Sequence, residues 1–307
     1  MASAARFTLY PCSFVSAGPV TTNLQQMQNF GINTEAKITR IQPAGAIDQA
    51  ANVMAMADPT IRFSTRDLTT AFGVISPSVG IALISGGATF RLQEREDLST
   101  FSTGATHETF TATQGLIVPT QLSATQDDEN GASLASMLYP TWDGTNDPVV
   151  HNTAVDFSGA PAPAFTSQFW LGPVYINGAE LPGVTSTSIE FGISVATKRT
   201  SGSYFTKTAV ITSRKPVIKI TTVKVDTVAT IDKFLRALAG TIAVYYWKGS
   251  TNSDRVAVAS TVHCKISATA GGYGDDEISA EENDDGTVTI SVFPTTALAV
   301  SVASAIP

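Results

Sequence analysis

Alternation of apolar and polar positions with a period of two dominates the chain. From Thr287 to Phe293 it is clean, with Val288, Ile290 and Val292 on one face. Val217 to Val225 is β-branched and partly alternating, and Thr206 to Thr212 and Thr241 to Trp247 continue the pattern. In the first half, Ala36 to Ile41, Thr60 to Thr65, Ala88 to Gln93 and Gly115 to Thr125 are of the same kind. Val, Ile, Thr and aromatic residues at this period predict half-buried strands. One segment follows a helical period instead. Val228, Ile231, Phe234, Leu235 and Leu238 form a single apolar stripe, Asp226 or Thr227 can cap its start, and Gly240 stands where it must stop. A weaker counterpart begins at Asp67, with Leu68, Ala71, Phe72 and Ile75, interrupted by Gly73 and Pro77.

Four short matches recur in the same order in both halves. Phe30-Gly31-Ile32 returns as Phe191-Gly192-Ile193, and Pro59 to Thr65 returns as Pro216 to Thr222. Leu122 to Thr125 returns as Ile266 to Thr269, and Asp143-Gly144-Thr145 as Asp285-Gly286-Thr287. The separation shrinks from first match to last, which predicts a duplicated unit with shorter loops in its second copy. Ser158 to Ala164 is a Pro/Ala/Gly-rich linker by composition. The expected division is a first module over 1–157, a linker over 158–167 and a second module over 168–307. Related units that cannot bury their whole surface alone bury it against neighbours. Three long polar stretches complete the outline: Glu94 to Thr113, Gln126 to Asn130, and Ala270 to Gly286. Loops of this length are commonly functional.

The 307 residues suit about two domains. Charged residues make up 15% against a usual share of about 25%. Such a chain suits burial between subunits, and equally a β-rich secreted protein. The net charge of −7, without a Lys/Arg cluster, argues against phosphate-backbone binding. Cys12 and Cys264, one in each half, read as buried thiols or as a disulfide between the halves. The start, through Gly18, faintly resembles a signal peptide, but Thr8, Tyr10, Pro11 and Ser13 break its apolar run. No stretch approaches the roughly 18 apolar residues of a membrane-spanning helix, so no membrane association is expected.

Candidate chemistry is thin. His107, His151 and His263 occupy no zinc spacing, and no nucleophile elbow, phosphate loop or dinucleotide fingerprint is present. His263 and Cys264 are adjacent, so on a strand they face opposite ways and form no catalytic pair. The acidic tract Asp275, Asp276, Glu277, Glu281, Glu282, Asp284 and Asp285 is the best site candidate. It reads as a solvated hairpin loop, as an acidic lumen or ring-contact loop, or as a Ca²⁺ site, although it matches no EF-hand spacing. Trp142, Trp170 and Trp247 read as packing residues.

The stretch Ala57 to Leu68, its partner Lys215 to Leu238, and the aromatic run Tyr245-Tyr246-Trp247 resemble the strand–helix–strand module of the tail tube proteins of long-tailed, non-contractile phages. The likeness covers most of the chain as pattern and rests on no short signature. It implies a mainly β fold with one short helix per half, arranged as two tandem β-sandwich or half-barrel modules. Their inner strands would close a ring-wide β-barrel on oligomerisation, with doubled modules giving three-chain rings of pseudo-sixfold symmetry. It further implies stacking into a conduit for the genome, no enzymatic activity and no cofactor. The implied partners are other copies, tape-measure, terminator and distal tail proteins, and double-stranded DNA as passing cargo. The implied location is the virion tail, after synthesis in the host cytoplasm. Two departures stand out: the broken first-half helix, and the Glu94 to Thr113 insertion without a counterpart. Other readings stay open, namely a capsid decoration protein, a tail terminator, an injection-system tube, or an extracellular β-sandwich binding module.

Overall fold

The period-two pattern is realised as strands through almost the whole chain. The computed structural model describes residues 6–16, 21–42, 44, 51–95, 101–165, 167–223, 240–249, 255–279 and 286–307. The first half runs β1 (Arg6–Ser16), β2 (Thr21–Leu24), β3 (Met27–Asn33), β4 (Ala36–Ile41), β5 (Ala51–Ala57), β6 (Thr60–Thr65), α1 (Leu68–Val74), β7 (Ile81–Arg95), β8 (His107–Ala112), β9 (Gln114–Thr125), β10 (Ser133–Thr141) and β11 (Val149–Val155). The second runs β12 (Phe169–Ile176), β13 (Ala179–Leu181), β14 (Val184–Glu190), β15 (Ile193–Lys198), β16 (Thr208–Arg214), β17 (Val217–Thr222), β18 (Gly240–Lys248), β19 (His263–Ser279), β20 (Thr287–Pro294) and β21 (Ala299–Ser304). All eight strands expected from alternation are present: β4 and β6 match the expected bounds, four expected spans lie within the longer β7, β9, β18 and β20, and β16 and β17 have ends shifted by two or three residues.

Seventeen strands form one antiparallel sheet that curls into a half-barrel, while β4–β5 and β15–β16 stand apart as two-stranded arms. In the first half β1 pairs with β2 and β7, β3 with β6, β6 with β10, β10 with β9, and β8 with β7 and β11. In the second, β12 pairs with β13 and β18, β14 with β17, β17 with β20, β20 with β19, and β19 with β18 and β21. The halves are joined edge to edge where β9 pairs with β14.

Burial follows the alternation. β10 and β17 bury every second residue, so one face of the curled sheet is apolar. That face forms a continuous core spanning both halves, from Phe14, Phe63 and Phe90 to Ile218, Val244 and Tyr246. Five phenylalanines, Phe14, Phe30, Phe63, Phe90 and Phe110, pack in mutual contact with centroids 5.0–6.4 Å apart. The helix begins where expected. Asp67 caps it, Oδ1 accepting from the Thr70 N–H at 3.2 Å, and Leu68, Ala71 and Ile75 are fully buried against the core. It tolerates the exposed Gly73 and ends before Pro77, which cannot continue it.

Three expectations are corrected. The polar stretch Glu94 to Thr113 contains the end of β7 and all of β8, so it is no continuous loop. Ala270 to Gly286 is likewise no loop as far as Ser279, because β19 extends through it and pairs with β20. The signal-like start is strand β1 from Arg6 onward, paired with β7. The linker region 158–167 has no strand or helix among its described residues, but it is tied down: the Gln25 side-chain amide donates to Ala162 O and accepts from Ala164 N. The helix expected over Val228 to Leu238 lies outside the described residues.

Candidate functional site

Two of the three histidines are buried and bonded to backbone, and the third is exposed. His263 is fully buried, its Nδ1 accepts from the Lys248 N–H at 3.1 Å, and its Nε2 lies 3.0 Å from the Ala257 carbonyl. Only the neutral tautomer with hydrogen on Nε2 satisfies both contacts. His107 repeats the first contact, accepting from the Glu94 N–H at 3.2 Å. Both rings therefore terminate a neighbouring strand's backbone rather than face a substrate. His151 is exposed, stacked on Phe110 at 4.3 Å and 3.2 Å from Glu108. Replacing His263 with phenylalanine keeps the volume but strands a buried N–H and a carbonyl. We expect it to cost about 1–3 kcal/mol, read as a lower urea midpoint without a change in m-value.

Cys12 and Cys264 are free and buried, and no disulfide joins the halves through them. Burial pushes both thiols up, Cys264 to about 12, so they stay protonated at neutral pH. A groove of about 540 Å³ lies over β18 and β19, lined by Tyr175, Tyr245, Lys265 and threonine hydroxyls. It is open, and its lining holds no carboxylate, histidine or cysteine among the described residues. No three His, Cys, Asp or Glu side chains converge on a metal position among the described residues.

The acidic tract divides. Asp275, Asp276 and Glu277 lie on β19, where Asp275 opposes Ile290 and Glu277 opposes Thr289 of β20, with Asp276 at the bulge between them. Glu281, Glu282, Asp284 and Asp285 lie outside the described residues. The first three are thus strand residues of a hairpin, which corrects the reading of them as loop residues.

What the geometry does offer is a set of sheet edges. At the seam between the halves, β9 and β14 pair at Ser186↔Thr125, Thr187↔Ala124, Ser188↔Ser123, Ile189↔Leu122 and Glu190↔Gln121. Leu122 and Ile189, directly opposite, are both fully buried. Phe72 of α1 meets Phe191 just beyond the seam at 6.2 Å. The β15–β16 arm closes over the same joint. It lies against β9 and β10, Arg199 pairs with Asp58, Thr206 Oγ1 donates to Asp58 Oδ1 at 2.6 Å, and Lys207 donates to the Trp142 carbonyl at 3.2 Å. Among the described residues several edges are left open, those of β2, β11, β13 and β21 included, and two others correspond to the sides of the seam. β3 pairs with β6 on one side, and no strand among the described residues pairs with its other side. β19 beyond Ala270 pairs with β20 on one side and, among the described residues, with nothing on the other. Alternation does not reveal these edges, because β3 and the tail of β19 are poor in Val and Ile. No protein-family model matches the chain, and no curated protein matches it.

Proposed function

We propose that the chain is a self-assembling structural subunit, the tail tube protein of a long-tailed phage, built from two related modules that form stacked rings around a genome conduit. The observation that carries this reading is the seam: one module-to-module joint is made inside the chain, and the strands corresponding to its two sides are open elsewhere on the same molecule.

Support for two related modules comes from the pairing order. Each half runs through the same sequence of hairpin, edge strand, projecting arm, central strand and outer hairpins, and details recur. Asn33↔Thr60 and Ile32↔Ile61 match Glu190↔Val217 and Ile189↔Ile218. Both strand pairs also slip at the equivalent place, between Met27 and Asn29 and between Val184 and Ser186. Thr65 Oγ1 donates to Gln25 O at 2.8 Å, and Thr222 Oγ1 donates to Pro182 O at 2.9 Å. The histidines at the starts of β8 and β19 perform the same backbone contact.

On this reading the role is structural rather than catalytic. A ring that pairs every edge removes the exposed strands that otherwise invite uncontrolled aggregation. An acidic chain without a basic patch lets DNA pass without holding it. Tape-measure, terminator and distal tail proteins would contact the ends of such a tube, and the virion tail would be its location. Electron microscopy of the purified protein, averaged end-on, tests the reading. We expect stacked rings of three chains with six similar lobes. Six chains per ring would overturn the two-module account of the lobes. Monomers that never associate at high concentration would overturn the tube reading and favour a decoration or binding module.

A further inference from the structure

We propose that β3 of one copy pairs antiparallel with the open edge of β19 in the next copy, in the register Gly31↔Ser279, Ile32↔Ile278 and Asn33↔Glu277. This rests on the reading of two equivalent halves given above, and it specifies the joint between copies.

The register follows from the seam already present. β3 stands in the first half as β14 stands in the second, since both pair with equivalent strands in the same register and slip at the same step. The tail of β19 stands in the second half as β9 stands in the first. Leu122 opposes Leu134 and Ile278 opposes Val288 on equivalent hairpins. Both hairpins also skip a residue at the same place: Thr120 between Pro119 and Gln121, and Asp276 between Asp275 and Glu277. Within the chain, β14 meets β9 at Ser188↔Ser123, Ile189↔Leu122 and Glu190↔Gln121. Replacing each residue with its equivalent in the other half gives the proposed register without any free choice.

The arms supply a second, independent argument. The β15–β16 arm lies on β9 and β10 of its own chain. Its equivalent, β4–β5, has no such cover among the described residues: all six residues of β4 are exposed, with Ile38 58% and Ile41 46% accessible. The strands equivalent to β9 and β10 are β19 and β20. A copy whose β3 pairs with a neighbour's β19 thereby brings its β4 arm over that neighbour's β19–β20 hairpin. β4 carries Lys37 and Arg40, and the β19 strand carries Asp275, Asp276 and Glu277, so the two strands hold residues of opposite charge. On this pairing Asp275, Asp276 and Glu277 lie on the strand that joins copies rather than on the lumen. The joint uses two different patches, so repetition gives a closed ring or an open helix depending on the rotation per copy. The main-chain bonding is that of strand addition to an exposed sheet edge.

Paired cysteines test the register. In the full chain, with the buried Cys12 and Cys264 retained, Asn33→Cys with Glu277→Cys is oxidised and run on non-reducing gels. Directly opposed positions suit a disulfide, while a pair slipped by two residues stands too far apart, so the yield should exceed that of Asn33→Cys with Ser279→Cys by about tenfold. Gly31→Cys with Ser279→Cys provides a second in-register pair at a site where an added Cβ meets nothing within 4 Å. A mixture of the Asn33→Cys chain and the Glu277→Cys chain should stop at covalent dimers, which establishes that the bond is between copies. Rings seen by microscopy without in-register crosslinks would overturn the pairing and leave the tube reading standing. Crosslinked oligomers that never stack would support the pairing and overturn the tube. No association at all would overturn both.

Discussion

Phe90→Ala is expected to be the most damaging single truncation in the chain, costing about 3–5 kcal/mol. Phe90 is 1% accessible and touches three other rings, with centroids 5.0 Å from Phe30, 5.3 Å from Phe63 and 6.4 Å from Phe14. Truncation removes the largest part of that contact and leaves a cavity walled by rings on three different strands, β1, β3 and β6, so none can move in without shifting its backbone. Aromatic pairing adds about 0.5–1.5 kcal/mol per pair beyond burial. Phe90→Leu keeps most of the volume and should cost markedly less. Urea unfolding of the two variants checks the claim: equal losses would show that ring packing contributes nothing beyond apolar area.

Asp67→Ala should cost about 2–5 kcal/mol, because one buried carboxylate serves two backbone donors. Its Oδ1 accepts from the Thr70 N–H at 3.2 Å and caps α1, while Oδ2 accepts from the Gln25 N–H at 3.3 Å and fixes the chain between β2 and β3. Thr65 Oγ1 in turn accepts from the Asp67 N–H at 3.0 Å. Alanine leaves both donors without an acceptor at a site with no solvent access. Asp67→Asn retains one acceptor oxygen and should recover part of the loss. Amide hydrogen exchange should localise the effect, with protection falling at Thr70 and Gln25 first. Unchanged exchange at Gln25 would show that the second contact contributes nothing.

Strand positions were legible where β-branched residues alternate, as at β17 and β20, and the cap at Asp67 was legible from its place before Leu68. Other strands were hidden because tertiary pairing overrides local composition. β19 holds two adjacent glycines and three acidic residues in a strand secured by β20, and β8 lies within a polar stretch secured between β7 and β11. The internal matches show why self-comparison of this sequence is hard. Only Pro59 to Thr65 against Pro216 to Thr222 falls on strands with equivalent pairing. By pairing, Leu122 corresponds to Ile278 rather than Ile266, and Phe30 to Thr187 rather than Phe191. The cores of the two halves also differ in kind. Phe63 and Phe110 stand in the first where Ile220 and Ile266 stand in the second, so equivalent strands are filled by different shapes. Of the candidate site, the acidic residues were legible as a cluster. Their place on an open strand was not, because openness is a property of the sheet and not of any one segment.

The pairing of β1 with β7 sets an order of events during synthesis. Thr8 and Gln93 lie 85 residues apart, so β1, although it meets β2 early, must wait for most of its half before it meets β7. Everything else the first half needs, through β11, then emerges before β12 does, except a partner for the far edge of β9. That edge stays bare until β14 leaves the ribosome, and while bare it is equivalent to the tail of β19 on a finished chain. On the pairing proposed above, a nascent chain at this stage can capture β3 of a completed copy. Speed of elongation through residues 156–190 therefore sets how much material is lost to premature joining, and a pause placed there should lower the yield of full-length product without changing its stability.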